Sequence, residues 1–179
     1  MFPLVALFAP LLVGDDARAI SLSERLRPPS TSHLLGTDEL GRDVLSRLVL
    51  GARVSVTVGI VSSALALLIG SLAGAAAGLA PRFDPAVLFA INVVSALPSL
   101  VLAAAGAALL GSTAVGVILL IALTSWPDTA RLVRSEARRV VQAPFVDAAR
   151  AAGASGPRVL LVHVLPHALL PAIAGAPYV

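Results

Sequence analysis

Residues 54–80 read VSVTVGIVSSALALLIGSLAGAAAGLA, 27 consecutive positions without a formal charge. A helix rises about 1.5 Å per residue and the hydrocarbon core of a bilayer is roughly 30 Å thick, so the run is long enough to cross one. Each Val, Leu and Ile in it favours insertion by about 0.3–0.6 kcal/mol. Within the run Gly70, Gly74 and Gly78 recur every four residues and share one helical face. A stripe without side chains lets a second helix approach closely, which makes the three glycines candidate helix-packing positions. The general richness of membrane helices in glycine would produce the same pattern.

Outward in the C-terminal direction, the polar turn PRFDP at 81–85 is followed by a second uncharged run, residues 86–127. As one helix it would measure about 63 Å, twice the hydrocarbon thickness. The expectation is therefore two spans, about 86–110 and 113–127, hinged at Gly111-Ser112-Thr113, with a kink at Pro98.

In the other direction, residues 14–53 are polar and mixed in sign, and Pro28-Pro29 with Ser30-Thr31-Ser32 mark a loop. After that loop, Thr37 or Asp38 is expected to cap a short amphipathic helix carrying Leu40, Val44, Leu45 and Leu48 on one face. The acidic residues there read as its solvated surface rather than as a catalytic cluster. Residues 2–13 are apolar but too short to span. They are expected to be part of a first transmembrane helix inside which the chain begins. A signal-peptide core is the alternative, although the basic n-region is missing.

Composition agrees with a lipid solvent. The chain is 58% hydrophobic and 13% charged, with a mean hydropathy of +0.94, whereas soluble domains carry about 25% charged residues. All 13 basic residues are arginine, and neither lysine nor cysteine occurs. That excludes a P-loop lysine, a Schiff-base amine, disulfides and thiolate metal sites. No catalytic or metal-binding set is predicted. The net charge is only +3 and no dense basic run appears, so no nucleic-acid partner is expected.

A second polar segment, residues 128–166, sets six arginines against three acids, while residues 14–53 set six against six. The positive-inside rule leans toward a cytoplasmic 128–166, and three intervening spans place the earlier segment on the opposite, extracytoplasmic side. Residues 145–152 are rich in alanine, a strong helix former, and Gly153 suits a left-handed helix terminus. Ser155 is placed to cap a second helix, with Pro157 in its first turn and Pro166 ending it. Two short helices joined by a glycine, facing cytoplasm beside membrane spans, have the form of a docking knob.

The order Asp147-Ala148-Ala149, three residues, Gly153, nine residues, then His163-Val164-Leu165-Pro166 resembles the EAA loop of binding-protein-dependent ABC importer permeases. GTDELGRDVLSR at 36–47 with Gly51-Ala52-Arg53, and Trp126-Pro127 with ARLVR at 130–134, resemble the dipeptide/oligopeptide/nickel branch. Two positions depart from the pattern: Asp147 stands where glutamate is usual, and His163 where isoleucine is the consensus. The resemblance implies an all-α, multi-pass helical bundle of the type I importer permease kind in the bacterial inner membrane. Its core would be residues 54–179, with 128–166 as the coupling loop and 167–179 as the start of the next span. The bundle is expected to be incomplete at the C-terminus.

The resemblance also implies partners: a second homologous permease subunit, two ATPase subunits, an extracytoplasmic substrate-binding protein and membrane lipid. ATP and Mg would be bound by the ATPase, with no cofactor in this chain. Asp147, Ala148, Ala149, Gly153, Leu165 and Pro166 would form the ATPase-coupling site. A secondary transporter subunit is the rival reading, along with a non-functional permease fragment. A secondary transporter calls for ionisable residues inside the spans. Residues 54–80 and 86–127 hold none, and Asn92 is their only strongly polar side chain. An intramembrane hydrolase or a metal site built on His163 and His167 is a further rival, with Pro166 interrupting the helix between them.

Overall fold

The computed structural model describes residues 20–111 and 113–175, so the expected partial span or signal at 1–13 lies outside the described residues. The chain divides into two compact units, Met1–Ile60 and Val61–Val179. Among the described residues every regular element is helical.

In the first unit a single 3-10 turn, Leu22–Glu24, leads into an irregular loop that ends at helix α1, Val44–Leu79. No separate short helix forms around Thr37 or Asp38, contrary to the expectation above. Asp43 caps α1 instead, accepting the backbone N–H of Ser46 at 2.7 Å. Asp38 stays in the loop, where it accepts the backbone N–H groups of Leu40 and Arg42 and the guanidinium groups of Arg42 and Arg47. A carboxylate that can satisfy several local donors competes with helix formation, which is why the loop wins here. The side-chain hydrogen bond from Arg42, reinforced by the two backbone bonds, holds the Asp38 carboxyl well below the usual carboxylate range. His33 lies between Asp43, at 3.1 Å, and Glu24, at 3.4 Å.

In the second unit α1 ends at Leu79 and a turn leads to α2, Asp84–Ala96, and then α3, Ser99–Leu110. The break between them falls at Leu97-Pro98 and bends the pair by 91°. Pro98 is therefore a sharp corner rather than a kink within one helix. At Gly111 the backbone takes a left-handed φ of 71°, and the Thr113 hydroxyl accepts the N–H of Gly116 to cap α4, Ala114–Val141. Helix α4 runs through Pro127, which is fully buried, and carries the first arginines of the polar segment as continuous helix. By length and apolarity α1 and α4 can each cross a bilayer, and the bent pair makes a third crossing if counted as one span.

Helix α4 is the centre of the core. Val133, Ala137 and Val140 along one of its faces meet Ala75 of α1 and the buried Val146, Val159, Val164 and Ala168 from the segment that follows. A smaller cluster joins Trp126 and Ala130 to Ile91 of α2.

Candidate functional site

The glycine stripe lies against α4. A Cβ placed on Gly74 would sit 2.5 Å from the Ala130 carbonyl oxygen, and one on Gly78 would sit 2.7 Å from the Ala137 Cβ. At Gly70 it would come 2.6 Å from the Thr129 Cβ. The backbones are too close for any side chain in between, and the carbonyl oxygens that face Gly70, Gly74 and Gly78, those of Trp126, Ala130 and Arg134, repeat the four-residue spacing of the glycines.

Beyond α4 the chain turns at Gln142-Ala143 into α5, Pro144–Ala151. Proline in the first turn costs no hydrogen bond, and Asp147 in that turn complements the helix dipole. The helix ends in a Schellman motif. The N–H of Ala154 reaches the Ala149 carbonyl at 3.0 Å, and that of Gly153 reaches Arg150 at 2.9 Å. This closure requires the left-handed φ of 85° at Gly153. Space is not what selects glycine here, since nothing lies within 4 Å of an added Cβ.

Helix α5 presents two faces. Val146 is fully buried against α4 and the segment after Gly153, while Asp147, Ala148, Ala151, Ala152 and Gly153 are exposed and Ala149 is half-buried. Most of that strip carries small side chains, with the exposed Arg150 beside Asp147 as the exception. Asp147 and Arg150 pair across 3.5 Å at the surface, a contact of little energetic weight.

After Gly153 the chain re-enters helix at α6, Gly156–Arg158, with Ser155 at the cap position but making no side-chain cap bond. A π-helical segment follows at Val159–Val164, and then α7, Leu165–Gly175. Pro166 does not stop the helix as expected. It occupies the first turn of α7, immediately after the π segment. A proline ring in regular α-helix collides with the carbonyl four residues back, and the wider π turn moves that carbonyl aside. Leu165 is half-buried against the α4 cluster, and Pro166 is exposed. The six residues that the resemblance would make an ATPase-coupling site thus fall into two groups: Asp147, Ala148, Ala149 and Gly153 on and just after α5, with Ala149 half-buried, and Leu165-Pro166 at the root of α7.

Sequence reasoning did not identify three participants. Val146 anchors α5 to the core. Phe145 packs against the His167 ring with centroids 5.5 Å apart. Asp84, the one acid in the 81–85 turn, accepts hydrogen bonds from both Arg134 and Arg138 on α4. The sequence signal for the last was a single acid facing an arginine-rich segment. His167 donates its Nδ1–H to the His163 carbonyl at 2.7 Å. Among the described residues no cluster of His, Asp or Glu has the form of a metal site.

The profile of the family described as "Binding-protein-dependent transport system inner membrane component" matches residues 66–179. The chain is 40% identical over 174 residues to the probable D,D-dipeptide transport system permease protein DdpC of Escherichia coli (strain K12), covering 97% of this chain and 58% of that protein. It is 38% identical over 176 residues to the dipeptide transport system permease protein DppC of Alkalihalophilus pseudofirmus, covering 98% and 58%. It is 32% identical over 167 residues to the oligopeptide transport system permease protein OppC of Bacillus subtilis, covering 93% and 55%. The chain therefore spans 55–58% of the length of these curated relatives.

Proposed function

The chain belongs to the binding-protein-dependent transport system inner membrane component family, and on that premise we propose that it serves as the membrane-spanning permease subunit of an ATP-driven importer. In this reading it has no ATPase site of its own. Two partner ATPase subunits bind ATP and Mg, a second permease subunit completes the path, and an extracytoplasmic binding protein delivers the solute. Peptides are the favoured cargo, because the similar proteins carry dipeptide and oligopeptide in their names. Nickel and other small solutes are the alternatives.

The observation that carries the proposal is the two-faced α5. One face is held to the end of α4 by Val146, and the other offers Asp147, Ala148 and Gly153 as an exposed strip for a partner surface. Force applied to that strip is transmitted through buried contacts to α4 and, through the glycine stripe, to α1. Such coupling performs alternating access without any reacting group in the chain.

The turn at 81–85 and the segment 128–166 belong to one side of the membrane in this scheme, the cytoplasm, because Asp84 bonds to Arg134 and Arg138. Residues 14–53 would then face outside. The test is solute uptake into vesicles carrying the full-length subunit, with and without its ATPase. Uptake that needs the ATPase, together with crosslinks from positions 147–153 to it, supports the proposal. Labelling of those positions from the outer side would remove it.

A further inference from the structure

The ring pair Phe145–His167 links the two ends of the coupling region. Phe145 opens α5, beside the exposed strip, and His167 opens α7, the helix that continues from the knob. Their centroids are 5.5 Å apart with planes inclined at 40°, an arrangement in which aromatic rings attract beyond simple area burial. The imidazole is not free to swing away. Its Nδ1–H is fixed on the His163 carbonyl at 2.7 Å, one turn back, within the π segment. The π turn and Pro166 thus bring a ring from α7 to a ring on α5 that is itself 45% exposed.

We propose that Phe145 and His167 form a strut that carries motion of α5 directly into α7, bypassing the route through α4. Both are positioning residues, and the inference rests on the coupling reading above. A buried contact through Val146 holds α5 to the core as a whole. The strut adds a connection at the surface, where the rings would move together only if α5 and α7 move as one body.

The test uses the full-length subunit assembled with its partners in proteoliposomes, reading solute imported per ATP hydrolysed. Phe145→Ala and His167→Ala are each expected to lower that ratio by about two- to tenfold, the range spanned by an aromatic pair, while hydrolysis continues. His167→Phe and Phe145→Tyr, which keep a ring at each place, are expected to restore most of it. The double alanine variant is expected to lose no more than the stronger single one, since both remove one contact. Unchanged ratios in the alanine variants overturn the strut, as do losses that multiply in the double variant. Failure of the ring-retaining variants to rescue overturns it too. A wild-type assembly that imports nothing on ATP would instead remove the transport reading beneath it.

Discussion

Arg134 and Asp84, 50 residues apart in the chain, meet in a two-pronged ion pair, with Nε on Oδ1 at 2.5 Å and Nη2 on Oδ2 at 3.0 Å. The carboxylate side chain is 15% exposed and the guanidinium 20%. Arg138 adds a third bond to the same carboxylate at 2.6 Å. The cluster ties the first residue of α2 to the middle of the arginine-bearing half of α4.

Removing the shared acceptor leaves two partly covered cations without a partner. Asp84→Ala is expected to destabilise the protein, seen as a lowered unfolding temperature in detergent. Arg138→Ala should cost less, since its side chain is 45% exposed. Equal losses from Asp84→Ala and Arg138→Ala would contradict the geometry.

Gly74 is the tightest point of the stripe, facing a backbone carbonyl that cannot rotate away. Gly74→Val is expected to force α1 off α4 and sharply reduce the yield of folded protein. Gly59, on the same helix with nothing within 4 Å of its added Cβ, provides the control. Gly59→Ala should fold as well as wild type, and equal behaviour of the two variants in a detergent stability assay would refute the close packing.

The left-handed backbone at Gly153 makes a graded prediction. Valine there costs about 1–2 kcal/mol of conformational strain, whereas asparagine tolerates that region. Gly153→Val should insert into membranes yet fail in ATP-dependent transport, and Gly153→Asn should retain a good part of it. Because the position is open, Gly153→Asn failing as badly as Gly153→Val would show that the turn is not what matters.

The Asp38 network makes a pH prediction. Its carboxyl is lowered in the folded state, so the stabilisation is complete above the ordinary aspartate value of about 4 and is lost only as pH falls through the lowered value. Residues 20–43 should therefore resist proteolysis in intact membranes unchanged from neutral pH down to about 4. In Asp38→Asn the same loop should be cleaved readily at every pH. A loop equally resistant in both proteins would dissociate its order from Asp38.

Much of the architecture follows from local chemistry. Charge-free runs, the Gly111 hinge, the Schellman glycine and the alanine-rich α5 are written in spacing and residue type, because solvation by lipid and backbone φ preferences act over a few residues. The same short reach explains the errors. Asp38 attracts several donors that a helical periodicity count does not see, so an expected helix is a loop and the cap moves to Asp43. Pro166 reads as a stop until the π turn ahead of it opens the space its ring needs.

Linear sequence by itself determined that this chain is an all-helical membrane protein with a glycine-terminated knob, since both properties come from neighbouring residues and their solvent. Only the tertiary structure decided which face of α5 is free, which carboxylate holds Arg134, and that the rings of Phe145 and His167 touch. The last two relationships join residues 50 and 22 positions apart, and no local preference specifies a contact across that distance.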